Sequence, residues 1–77
     1  MIAAYILIQT EGGKPAQVAR DTMQIAGVTS ADSVAGPYDV IARAEERNLD
    51  DLAKLVVRRL QEIEGVTRTL TCPVVHL

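Results

Sequence analysis

The pentapeptide Ile25-Ala26-Gly27-Val28-Thr29 returns as Ile63-Glu64-Gly65-Val66-Thr67, an offset of 38 in a chain of 77 residues. Val18 and Val56, and likewise Thr22 and Leu60, stand at the same offset. Two copies are too few for a stacked repeat array. An echo at half the chain length points instead to a duplicated β-α-β unit, which constrains the fold more than any other feature of the sequence.

Local patterns supply the elements. Ala3 to Gln9 is a short apolar run closed by Thr10-Glu11-Gly12-Gly13 and reads as a strand. Pro15 suits a first helical position, where its missing N–H removes no bond. Val18, Ala19, Thr22, Met23 and Ala26 follow at helical spacing, and Gly27 is placed to end that helix. Val28 to Ala35 reads as a more polar strand, Gly36-Pro37-Tyr38 as a turn, and Asp39 to Glu45 as a third strand. Asn48 and Asp51 resemble a helix-capping pair. Leu52, Leu55, Val56, Leu60 and Ile63 predict an amphipathic second helix ended by Gly65, with Val66 to Val75 as the last strand. The order β-α-β-β-α-β predicts an α+β, ferredoxin-like fold, with two helices on one face of a four-stranded antiparallel sheet.

That fold leaves one sheet face bare, and the face should then be polar. The first strand is apolar on both sides, with Ala4, Ile6 and Ile8 on one and Ala3, Tyr5 and Leu7 on the other. Which side meets the helices stays open in the sequence. Size sharpens the point. A chain of 8.3 kDa should expose about 4,600 Å² folded against about 12,000 Å² unfolded, a marginal burial. Chains this small are usually stapled by disulfides, metals or oligomerisation. One cysteine (Cys72) and one histidine (His76) exclude an internal disulfide and an ordinary zinc site. A second copy of the chain is therefore expected over the bare face.

Net charge is −2, without the basic footprint of a nucleic-acid binder. The apolar start has no positive flank and stops at Gln9-Thr10-Glu11, so neither a secretion signal nor a membrane span is expected. A lone thiol favours the cytoplasm.

The repeated Ile-x-Gly-Val signature, the hairpin segment Gly36-Pro37-Tyr38-Asp39 and the helix start Asn48-Leu49-Asp50-Asp51-Leu52 together resemble the effector-binding (RAM) domain of the leucine-responsive Lrp/AsnC regulators. The resemblance runs from about Ala3 to Thr71. It implies a sheet-to-sheet homodimer assembling further into rings of dimers, with small effectors, typically amino acids, bound in clefts between dimers. The family's helix-turn-helix domain has no counterpart in residues 1–77. The sequence reads as a single, stand-alone sensor domain without direct DNA binding, able to act on full-length relatives through mixed assembly.

An amino-acid site needs an acceptor for the ammonium group and donors for the carboxylate. Asp39 is the candidate acceptor, Gly36 allows close backbone approach, and Tyr38 offers a wall and a hydroxyl. Thr69 and Thr71, alternating with Thr67 onto one face, are candidate donors. Each has a plainer reading: Gly36 and Asp39 as turn residues, Tyr38 as packing, the threonines as strand formers. Cys72 reads as a buried structural residue and His76 as a solvated tail residue, because a catalytic pair would need a third, orienting group. Lys54, Arg58 and Arg59 read as a solvated helix face, with Arg58 in range of Glu62. Gly12-Gly13 lacks the Lys and Ser/Thr of a phosphate loop, and Glu45-Glu46 beside Asp50-Asp51 makes no metal site, so no cofactor is expected. Three functions stay open: a non-enzymatic amino-acid sensor, a small dimeric enzyme of the monooxygenase or isomerase type, and an assembly subunit without ligand.

Overall fold

The computed structural model describes residues 1–76. Its strands are β1 (Ile2–Thr10), β2 (Val28–Ser33), β3 (Val40–Glu46) and β4 (Val66–Pro73). They form one antiparallel sheet in the order β2-β3-β1-β4. Helix α1 (Pro15–Met23) links β1 to β2. Helix α2 links β3 to β4 in three consecutive parts: an α-helical turn Leu49–Asp51, a π-helical stretch Leu52–Val57 and an α-helical end Arg58–Gln61. This is the ferredoxin-like arrangement that the element order predicts.

The repeat is visible atom by atom. Gly27 and Gly65 have φ of 98° and 97°, a region that side chains with a Cβ avoid. The bonds leading into each glycine are the same. Ile25 N–H donates to Thr22 O and Val28 N–H to Ile25 O, both at 3.1 Å. Ile63 N–H donates to Leu60 O at 3.1 Å and Val66 N–H to Ile63 O at 3.2 Å. Val18 and Val56, and Thr22 and Leu60, are all fully buried. Each helix therefore ends at Met23 or Gln61 and turns through tighter bonds to its glycine, rather than running on to it as expected. Met23 and Ala26 lie beyond the buried stripe and are exposed.

The face of β1 toward the helices is Ala4, Ile6 and Ile8, each fully buried with Val40, Ala42 and Ala44 of β3. Leu52, Val56 and Leu60 of α2 and Val18 and Ala19 of α1 complete this core, each large side chain stabilising by about 1.5–3 kcal/mol. Leu55, expected on the apolar stripe, is exposed. A π-turn takes more residues than an α-turn. Four-residue steps such as Leu52, Val56 and Leu60 stay aligned with the sheet, and a three-residue step swings away. Asn48 caps α2 as expected, its Oδ1 accepting from Asp51 N–H at 2.8 Å. Arg47 pairs with Asp51 at 3.2 Å. Among the described residues no helix is long and apolar enough to cross a membrane.

Candidate functional site

Residues 34–39 close the β2–β3 hairpin beside the end of β1. Asp39 N–H donates to Ile8 O and Val34 N–H to Asp39 O, each at 2.9 Å. Half-buried Asp39 also receives the Thr10 backbone N–H at Oδ2, 2.9 Å, and the Thr10 hydroxyl at 3.4 Å. The Gln9 side-chain amide donates to Pro37 O at 3.1 Å. Within one chain, then, Asp39 fastens the hairpin to β1. Gly36 is exposed and a Cβ there would meet nothing within 4 Å; its φ is not positive. Close approach at Gly36 would have to come from outside this chain. Tyr38 is half-buried on the same turn.

Thr69 and Thr71 stand elsewhere. They pair with Ile8 and Ile6 across the β1–β4 ladder, so they share the helix side of the sheet, at its edge. Thr69 and Val40 flank Ile8 on one rung, which separates Thr69 from the hairpin by two strand spacings, about 10 Å. The Gln61 side-chain amide donates to the Thr69 hydroxyl at 3.1 Å. Thr71 and Pro73 form one wall of a groove of about 310 Å³, and Leu49, Leu52, Ala53 and Val57 of α2 form the other. Spacing along the chain did not reveal this groove, because its two walls are more than ten residues apart. Its signals were an exposed leucine at a helix start and a proline at the end of an edge strand, both easily read as surface.

The opposite sheet face carries Tyr5, Leu7, Ile41, Leu70 and Cys72. Leu7 lies directly across from Ile41 and Leu70, and Tyr5 across from Arg43 and Cys72. Tyr5 and Leu70 are each 46% exposed. Cys72 is exposed, correcting the expectation of a buried residue. Alternation along β4 sends it to the open face with Leu70, while Thr71 turns under α2. Arg43 Nη1 donates to Glu45 Oε2 on this face, and Glu45 raises the Arg43 pKa above its ordinary value. His76 is exposed beyond β4. The ion pairs among the described residues are Arg43–Glu45 and Arg47–Asp51; Arg58 and Glu62 do not form one.

The family model for the Lrp/AsnC ligand binding domain matches residues 3–76. The chain belongs to this family. It is 32% identical over 71 residues to an uncharacterized HTH-type transcriptional regulator of Pyrococcus furiosus, covering 88% of this chain and 47% of that protein. It thus spans about half the length of the curated relatives it matches. The structure superposes on TTHA0845 of Thermus thermophilus with a TM-score of 0.91 at 28% identity, covering 100% of this chain and 96% of that one. The transcriptional regulator NMB0573 of Neisseria meningitidis, solved as its L-Met complex, shares the fold at a TM-score of 0.81 and 18% identity, over 97% of this chain and 50% of that one. This Lrp/AsnC domain is therefore related to transcriptional regulators.

Proposed function

We propose that this Lrp/AsnC domain is a non-enzymatic amino-acid sensor of the cytoplasm. It pairs with a second copy through its open sheet face, assembles further into rings of dimers, and binds its effector where protomers meet. The observation that carries the ligand reading is the groove between α2 and β4. Its walls are aliphatic except for the Thr71 hydroxyl, which suits a small aliphatic side chain joined to a polar head. Such a lining suits holding a ligand rather than transforming one. The L-Met complex of the Neisseria meningitidis regulator agrees with this ligand class.

Asp39 of a neighbouring protomer supplies the acceptor for the ammonium group. Both of its bonds to Thr10 fall on Oδ2, which leaves Oδ1 to the ligand. Gly36 and Tyr38 shape the cleft beside it, and Thr69 and Thr71 donate toward the carboxylate. A site divided in this way is complete only in the assembly, so ligand and oligomer stabilise each other by mass action. The contacts between dimers, rather than the sheet face, admit full-length Lrp/AsnC regulators as partners, and regulation then passes through mixed assemblies rather than through DNA contacts of these 77 residues.

Sedimentation with and without a mixture of the twenty amino acids, followed by calorimetric titration of single ones, tests the reading. Heat of binding and a shift in assembly mass with at least one aliphatic amino acid are expected. Absence of both across the whole panel rejects the sensor and favours an assembly subunit.

A further inference from the structure

The strand registers set the open face in rows. Asp32, Ile41, Leu7 and Leu70 form one; Ser30, Arg43, Tyr5 and Cys72 form the next; Glu45 and Ala3 begin a third. Three aliphatic side chains, Ile41, Leu7 and Leu70, with Asp32 at the β2 edge of their row, therefore lie beside a row with a guanidinium at its centre. That guanidinium is held by neighbours on its own sheet. Arg43 Nη1 donates to Glu45 Oε2 and lies 3.5 Å from the Thr29 hydroxyl. Thr29 in turn donates to the Arg43 carbonyl at 3.1 Å. The two charged side chains are 36% and 38% exposed, so they lie along the face rather than reaching away from it.

The body measures 35 × 25 × 17 Å, so its broad face is on the order of 800 Å². A stable interface of ordinary size takes about as much from each partner, so a dimer centred on Leu7 extends over the neighbouring row that holds Arg43. In a two-fold interface each copy presents what the other must accept. A lone cation on such a face would meet its own kind or stay unpaired, and a buried unpaired charge is strongly unfavourable. A cation already neutralised within its own sheet can be covered by an identical face.

We propose that the Arg43–Glu45 pair is the partner-selecting element of the open sheet face, admitting a second copy of this chain and rejecting sheets that carry other residues at these two positions. The proposal rests on the dimer reading above and adds to it a reason for self-recognition. A partner face with aliphatic groups at both positions still covers the Leu7 row. It offers nothing to the outer edges of the guanidinium and carboxylate, which lose water without gaining contacts. Selection of this kind uses mismatch as well as attraction.

The test compares wild type with Leu7→Asp, Glu45→Gln, Arg43→Met and the double variant Arg43→Met/Glu45→Leu, using sedimentation for assembly and circular dichroism for folding. Leu7→Asp checks the dimer reading alone and should yield folded monomer. Each single change at the pair should weaken dimerisation at least about tenfold, because it leaves one charge uncompensated. The double variant should recover to within about threefold of wild type, an apolar pair being a neutral replacement for an ion pair. Mixing differently tagged wild type and double variant should then give fewer mixed dimers than the statistical half. Single variants as tight as wild type, while Leu7→Asp dissociates, would place the pair outside the interface and overturn the proposal but not the dimer. Statistical mixing overturns selectivity even if a single variant fails to fold. A wild-type protein that stays monomeric overturns both readings.

Discussion

The Asp39 carboxylate holds the Thr10 backbone N–H at 2.9 Å, so the residue proposed to meet an effector also fastens the β2–β3 hairpin to β1. The two roles separate by substitution. Asp39→Asn keeps an oxygen for Thr10 and should leave the fold and dimer intact. It should weaken amino-acid binding by about 1.5–3 kcal/mol, the scale of a hydrogen bond to a charged group. Tyr38→Phe removes only a hydroxyl and should do less. Calorimetry checks both, and unchanged affinity in Asp39→Asn would reduce the residue to a hairpin clip.

The two faces of β1 should respond differently to the same charge. Ile6 is fully buried under the helices, and Ile6→Asp should abolish folding because an unpaired carboxylate cannot be left in that core. Leu7 points to the other face, and Leu7→Asp should fold and dissociate. Circular dichroism and sedimentation on the pair of variants decide the matter, and two unfolded proteins would contradict the assignment of faces.

The two repeat glycines should tolerate alanine unequally. A Cβ at Gly27 would lie 2.7 Å from Glu46 Oε2, 3.1 Å from Val56 Cγ2 and 3.2 Å from the Glu45 carbonyl; the nearest atoms to one at Gly65 are side-chain atoms of Lys14 and Val18, at 3.2 and 3.3 Å. Both variants carry the strain of a positive φ, about 1–3 kcal/mol. Gly27→Ala adds a clash with a backbone atom that cannot swing aside. Urea unfolding should rank Gly27→Ala as the less stable, and the reverse order would show that the β3 backbone yields more easily than the α1 side chains.

Asn48→Ala should cost about 1 kcal/mol through loss of the cap on Asp51 N–H, read as a lower midpoint with an unchanged slope. A neutral outcome would mean that water serves this helix end equally well.

What the sequence disclosed, it disclosed through periodicity. The alternation of Ala4, Ile6 and Ile8 and the Asn48 cap depend on neighbours a few residues away, the pentapeptide echo on one fixed offset of 38, and each reappears in the structure. Leu55 failed because its exposure depends on a helix widened over Leu52–Val57, which no three- or four-residue pattern encodes. Cys72 failed because its residue type argued for burial, whereas its register opposite Tyr5 put it on the open face. The hairpin residues Gly36, Tyr38 and Asp39 were legible as a turn, and Thr69 and Thr71 as one face of a strand. The distance between those two groups, and the groove beside Thr71, arise only when β4 is laid along β1 and α2 across it.

The sheet order has a consequence for how the duplicated halves depend on one another. β1 and β2 belong to the first half and β3 and β4 to the second, yet the order is β2-β3-β1-β4. Every strand pairing joins one half to the other. The repeat glycines follow suit: Gly27 O accepts from Glu45 N–H and Gly65 O from Glu11 N–H, both at 2.8 Å. Neither half has a sheet of its own to fall back on, so the chain is an internal heterodimer made obligatory by threading, and a half-chain fragment should acquire its strands only when its complement is supplied in trans.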